Sequence, residues 1–239
     1  TMVGNVAARM TEEGSGIDMT AGQIGTAGAI YVLGACVGAI VFGQLTDRFG
    51  RRKLFLITLV LYLVATVATA FSFSAWYFFL VRFLTGAGIG GEYAAVNSAI
   101  DELIPARVRG RIDLIINGSY WLGAAGGAAT TLLFLNTDIL PKMIGWRLAF
   151  AVGMLLAIFV FVVRKNVPES PRWLFIHGQN DEAERIVGEI EDGIEAETSQ
   201  TLPPPTKTIT VRQRKTISFV EIMKVAFTIY PKRAILCLV

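Results

Sequence analysis

The sequence predicts an all-α polytopic membrane protein, and three observations carry that prediction. Hydrophobic residues make up 53% of the 239 and charged residues only 17%, whereas a soluble domain usually carries about 25% charged residues. Five apolar stretches, at 22–44, 54–73, 76–100, 112–135 and 146–163, are each near the roughly 20 residues that a membrane-spanning helix needs. The connectors between them alternate between basic and non-basic, the signature that orients a polytopic chain.

The elements follow in order. Residues 1–21 read as the end of a preceding helix and an outer loop. The first connector holds Arg48, Arg51, Arg52 and Lys53, the second has no base, and the third holds Arg107, Arg109 and Arg111. Lys142 stands beside Asp138 in the fourth, and Arg164, Lys165 and Arg172 follow the fifth stretch. Basic connectors belong on the cytoplasmic side, so the first stretch runs from outside to inside. Residues 22–164 form the membrane region, and 165–230 form a cytoplasmic linker with short helices. In that linker Ile186, Val187, Ile190 and Ile194 mark an amphipathic helix within 181–195. A Pro-rich stretch follows, and residues 231–239 open a further apolar run. The apolar last residues and the absence of a natural start read as a piece of a larger polytopic protein.

The composition narrows the function classes. A net charge of +3 is small, and no basic face interleaved with aromatics suggests nucleic acid. His177 is the one histidine, Cys36 and Cys237 lie in apolar segments as thiols, and no His/Cys cluster suggests a metal. No nucleophile–base constellation suggests an enzyme. No cofactor is expected.

The segment 43–53 compresses one acid, four bases and two glycines between two apolar runs. In Gly43-x-x-x-Asp47-Arg48-x-Gly50-Arg51-Arg52, Gly43 would let another helix approach closely. Asp47 would sit where the next helix begins, a favourable place for a carboxylate near exposed N–H groups. Gly50 would permit the reversal. The arginines could bind headgroups or the carboxylates of a moving neighbour, or simply anchor the turn on the cytoplasmic side.

This pattern resembles the loop signature of the major facilitator superfamily. Arg82-x-x-x-Gly86-x-Gly88-x-Gly90 resembles its fourth-helix motif, and Glu102-x-x-Pro105-x-x-x-Arg109-Gly110 the motif that follows in sugar porters. Pro168-Glu169-Ser170-Pro171-Arg172-Trp173-Leu174 resembles the sugar-porter signature after the sixth helix, with Gly178 and Glu182-Ala183 beyond it. The motifs stand in family order. The resemblance implies that the five stretches are helices two to six of a six-helix N-terminal half, incomplete here. It implies intracellular helices, an onset of helix seven from 231, and a second half that this sequence lacks. It also implies secondary transport of a small polar solute by alternating access, with a coupling proton, in the plasma membrane. A solute sensor of the same fold and an efflux transporter are alternatives.

Within the membrane, Arg82 and Glu92 are costly charges. Glu92 lies about 15 Å further along the helix than Arg82 and about 80° around it, so the two do not share one face. Tyr93 and Asn97, at offsets of about 20° and 60°, align better with Arg82. Either Arg82, Tyr93 and Asn97 approach a central aqueous cavity, or Arg82 pairs with a carboxylate in a structural bundle. Glu92 is either a proton carrier or a hydrogen-bonding group. Asn117 and Trp121, four apart, share a face and suit a ligand with hydroxyls or a ring, or else pack. Sugar porters commonly carry a glutamine on helix five, and none occurs between 112 and 135. A polyol, an organic acid or an aromatic acid is therefore as open as a sugar. Asp47, Arg51, Glu102, Arg109, Glu169 and Arg172 would form a cytoplasmic charge set that gates the inner side. Gly34, Gly38, Gly123, Gly126 and Gly127 are expected to let helices pack closely.

Overall fold

A computed structural model describes residues 2–104, 106–136, 140–164, 169–199 and 218–238. Among these residues the chain is helical throughout, with no strand. In order they are α1 (Met2–Met10), α2 (Ala21–Phe49), α3 (Arg51–Ala70), α4 (Ala75–Leu103), α5 (Ala106–Phe134), α6 (Lys142–Arg164), α7 (Pro171–Ile176), α8 (Asn180–Thr198), α9 (Phe219–Thr228) and α10 (Pro231–Leu238).

The five apolar stretches become α2 to α6. Their helices run past the apolar residues into the polar flanks, because the backbone keeps its i→i−4 bonds until a residue stops it. Gly50 is the stop between α2 and α3, at φ +93°, a conformation that glycine adopts without a side-chain penalty. Ser74 caps α4 by accepting from the Tyr77 N–H at 3.3 Å. α2 and α3 are each long and apolar enough to cross a membrane. Around the α3–α4 turn Phe71, Phe73 and Trp76 are exposed, the aromatic enrichment expected where a helix leaves a bilayer.

The chain divides into two compact units. One comprises Thr1–Thr46 and Arg51–Val167, the other Asp47–Gly50 and Pro168–Val239. In the first, α3 packs on α4 and α6, and α1 packs on α5 and α6. Its core lies where α1 ends and α6 begins: Val6, Met10, Met19, Phe78, Trp146 and Phe150 are buried together. Trp146 is fully buried and donates its indole N–H to the Ser15 carbonyl at 3.0 Å. Arg147 donates to the carbonyls of Ser72 at 3.1 Å and Ala70 at 3.3 Å. Glu12 is held by Arg9 at 2.8 Å and Lys142 at 3.1 Å. These bonds tie the 11–20 loop and the α3–α4 turn to the start of α6.

In the second unit α7 packs against α8 through Leu174, Ala183 and Ile186. Ser170 is the N-cap of α7, accepting from the Trp173 N–H at 3.3 Å, with Pro171 in the first turn, where a missing N–H costs nothing. Gly178, at φ +78°, follows the helix. α8 covers the amphipathic segment expected at 181–195, and α9 and α10 pack on each other.

Candidate functional site

Four glycines set the distance between α2 and α4. A Cβ on Gly34 would fall on the carbonyl oxygen of Phe83, and one on Gly38 on that of Ala87. From the other side, a Cβ on Gly86 would strike the Tyr31 carbonyl, and one on Gly90 the Ala35 carbonyl. Each pair is spaced four residues apart, so one small face meets another. Gly43, expected at such an approach, is not at one: its Cβ would stand 4.0 Å from the Ala94 Cβ, an ordinary contact. It lies more than a turn beyond the crossing, where the two helices have diverged. A methyl group on Gly123 or Gly126 of α5 would meet nothing within 4 Å, so neither glycine makes a close packing contact among the described residues.

The face of α4 that carries Arg82 turns toward α3 and α6. Arg82 is only 6% exposed. It donates through Nη2 to Thr69 Oγ1 at 2.7 Å and Thr85 Oγ1 at 3.3 Å. Its guanidinium lies 5.1 Å from the Phe150 ring centroid and 5.5 Å from that of Phe78, within the range of cation–π attraction. Its Nε is buried and finds no acceptor among the described residues. Tyr93 and Asn97 are exposed and Glu92 is half-buried. The structure therefore separates Arg82, sunk among threonines and rings, from Tyr93 and Asn97, which stand at the surface.

On α5, Asn117 donates through Nδ2 to both the carbonyl and the carboxylate of Asp113, at 3.0 and 2.9 Å. Two acceptors on one side fix the amide orientation. Trp121 is 72% exposed and meets Tyr120 edge-on at 5.6 Å. Asp113 is not among the residues that the sequence reading singles out. Its signal is the spacing: an acid four residues before Asn117, one turn along the same face.

The charged motif residues fall in two sets. Asp47, Arg48, Gly50, Glu169 and Arg172 belong to the second unit, and Arg51, Arg52, Glu102 and Arg109 to the first. Asp47 lies in the last turn of α2 rather than at the start of α3, because the helix continues to Phe49. Its backbone carbonyl accepts from the Trp173 indole at 3.0 Å, which satisfies a terminal carbonyl that the helix leaves unpaired. Gly50 faces Glu169, and Trp173 stacks on His177 at 4.0 Å. Arg48 lies over Phe49, and Arg172 is exposed. In the first unit Arg51 donates to the Ser98 carbonyl at 3.1 Å, and Arg109 to the Ile104 carbonyl at 3.1 Å from Nη2. Arg52 is exposed. The side chain of Glu102 and the residues Pro105, Asp138 and Pro168 lie outside what the structure describes. No group of three or more metal-ligating side chains occurs among the described residues.

This arrangement of helices is part of the major facilitator fold. Residues 5–238 match the family described as "Sugar (and other) transporter", and the chain belongs to that family. It is 36% identical over 173 residues to the niacin transporter NiaP of Acinetobacter baylyi, covering 72% of this chain and 38% of that protein. It is 35% identical over 171 residues to inositol transporter 4 of Arabidopsis thaliana, covering 71% of this chain and 28% of that protein. The chain thus spans less than two-fifths of the length of these curated relatives. Its fold matches the partially occluded, inward-open xylose transporter XylE of E. coli with a TM-score of 0.71 at 22% identity, covering 83% of this chain and 52% of that one.

Proposed function

We propose that the chain supplies helices two to six of a secondary active transporter for a small polar solute, working by alternating access with a coupling proton at the plasma membrane. The observation that carries this is Arg82, a guanidinium sunk among α3, α4 and α6 with one buried donor unfilled among the described residues. An intramembrane charge is costly and is retained where it faces a partner or a solute path. A carboxylate brought to Arg82 Nε by another segment would complete it, and proton uptake by that carboxylate would release it.

The solute class follows from α5 and from what the relatives carry. With its amide nitrogen bonded to Asp113, Asn117 would present its oxygen as an acceptor, and the exposed Trp121 indole offers a flat apolar face. Together they suit a ring bearing hydroxyl or N–H donors or a polar substituent, in keeping with the niacin, inositol and xylose that the relatives' names specify. Glu92, Tyr93 and Asn97 supply further polar contacts on α4. The charge set of Asp47, Arg48, Arg51, Arg52, Glu102, Arg109, Glu169 and Arg172 forms the inner gate. Each exposed pair contributes only about 0–1 kcal/mol, but several remade together bias a two-state equilibrium.

The test is uptake of radiolabelled niacin, myo-inositol and xylose by the full-length protein in proteoliposomes under an imposed pH gradient. Accumulation of one of them, abolished by a protonophore, is the expected result. Saturable binding without accumulation would replace the reading with that of a solute sensor. Export against the gradient would reverse the assigned direction.

A further inference from the structure

Asp113 is a carboxylate near the opening of an apolar span. It lies two turns into α5, past the first turn, where a helix N-terminus favours negative charge. A charge within a spanning helix is costly unless a partner holds it. That partner stands one turn further on. Asn117 Nδ2 donates to the Asp113 carbonyl at 3.0 Å and to Asp113 Oδ1 at 2.9 Å. A side-chain amide has two N–H donors and one acceptor oxygen. Turned over, it would set its oxygen against two other oxygens, so the pair of acceptors selects one orientation.

The same stretch of α5 carries the exposed indole of Trp121, four residues beyond Asn117. Asp113, Asn117 and Trp121 fall within about 80° of arc. Tyr120, which meets Trp121 edge-on, lies within electrostatic reach of Tyr31 on α2, as does Tyr93 of α4. Three helices thus bring phenols to one region, and Asn117 lies about 60° around α5 from Tyr120.

We infer that Asp113 is a positioning residue: its carboxylate holds the Asn117 amide nitrogen, so that the amide oxygen faces the solute. The assignment rests on Asn117 being a solute contact, as proposed above, and it adds a preference. An acceptor oxygen pairs with a neutral O–H or N–H group on the solute. A solute carboxylate offers only acceptors and finds no partner at this point. Without the Asp113 side chain the amide keeps one acceptor instead of two, turns over more readily and discriminates less.

Binding of radiolabelled myo-inositol, nicotinamide and nicotinate to the purified full-length protein tests this. Nicotinamide and nicotinate share one ring and differ in whether the substituent donates. The parent should bind the better of the two neutral probes about tenfold more tightly than nicotinate, the factor of one unpaired polar group. Asp113→Ala should shrink that ratio several-fold, and Asp113→Glu, which keeps the acceptor, should restore most of it. In an Asn117→Ala background, Asp113→Ala should change the ratio no further. Asp113→Leu, apolar and of similar size, stands in if Asp113→Ala does not fold. Tighter binding of nicotinate than of both neutral probes by the parent would overturn the inference. So would an unchanged ratio in Asp113→Ala while Asn117→Ala alters it; the solute contact would then stand and only the positioning role fall. A further effect of Asp113→Ala on top of Asn117→Ala would mean that the carboxylate meets the solute directly, which also overturns it. An Asn117→Ala protein that binds as the parent does, or a parent that binds none of the three probes, would remove the solute contact itself and the inference with it.

Discussion

Gly50 and Glu169 meet closely: a Cβ on Gly50 would stand 2.5 Å from Glu169 Oε2, the tip of a side chain that would have to swing aside. The residue also holds φ +93°, and it is this backbone conformation that selects glycine. Gly50→Ala is expected to cost about 1–3 kcal/mol from backbone strain. A Glu169→Ala background removes the contact and leaves the strain. Thermal unfolding of the purified single and double variants separates the two contributions.

The α2–α4 crossing makes a second prediction. Gly38→Val places a side chain onto the Ala87 carbonyl and should destabilise by about 1–3 kcal/mol, as overpacking does. Gly123→Ala, with nothing within 4 Å, should be neutral in this chain or gain up to about 1 kcal/mol of helix propensity. Melting temperatures in one detergent compare the pair.

Trp146→Phe keeps a ring in the core but strands the Ser15 carbonyl, which the indole N–H otherwise satisfies at 3.0 Å. A buried acceptor left unpaired costs about 1–3 kcal/mol. Denaturation should show that loss, and proteolysis within the 11–20 loop should accelerate.

Arg82→Ala should lower coupled uptake by about tenfold or more, the equivalent of the roughly 1.5–3 kcal/mol typical of a charged hydrogen bond, while surface expression is retained. Uptake and surface biotinylation measured on the same cells check it. Unchanged coupled uptake would remove Arg82 from the transport path. Glu92→Gln is the companion test, because an unchanged pH profile of accumulation would exclude it as the proton carrier.

Glu12 makes a pH prediction. Its hydrogen bond from Lys142, helped by the charge of Arg9 and opposed by partial desolvation, holds its carboxyl below the usual carboxylate range. A folded-state value below the unfolded one means that the stabilisation is present above the unfolded carboxylate value. It is lost as pH falls through the lowered value. The stability difference between the parent chain and Lys142→Met should therefore be present at neutral pH and vanish in acid. Unfolding curves across that range measure it.

The five long helices are legible in the sequence because apolar length is a coarse and robust signal. Their ends are less so. Apolar content falls off at Gln44, yet α2 continues to Phe49, since charged side chains in water do not interrupt a helix and a glycine at positive φ does. Gly34, Gly38 and Gly43 all read as close approaches in the sequence; Gly34 and Gly38 make one, with Gly86 and Gly90 facing them, and Gly43 does not. A linear sequence does not say which partner helix a small residue faces. The surroundings of Arg82 are hidden for the same reason: Thr69 and Phe150 come from other helices, the first of them 13 positions away. Ser170, by contrast, has the local pattern of a cap, because its hydrogen bond spans three residues and a following proline announces the helix.

The indole of Trp173, bonded to the Asp47 carbonyl, gives the charged turn an optical readout of its own. Indole emission responds to the loss of a hydrogen bond and to entry of water. Separation of the turn from α7 would therefore shift the spectrum without any added label. The chain has four tryptophans, and Trp146 is sealed in the core. With Trp76 and Trp121 replaced by phenylalanine, the changing part of the signal would come from Trp173, and the motion of a transport motif could be timed by its own light.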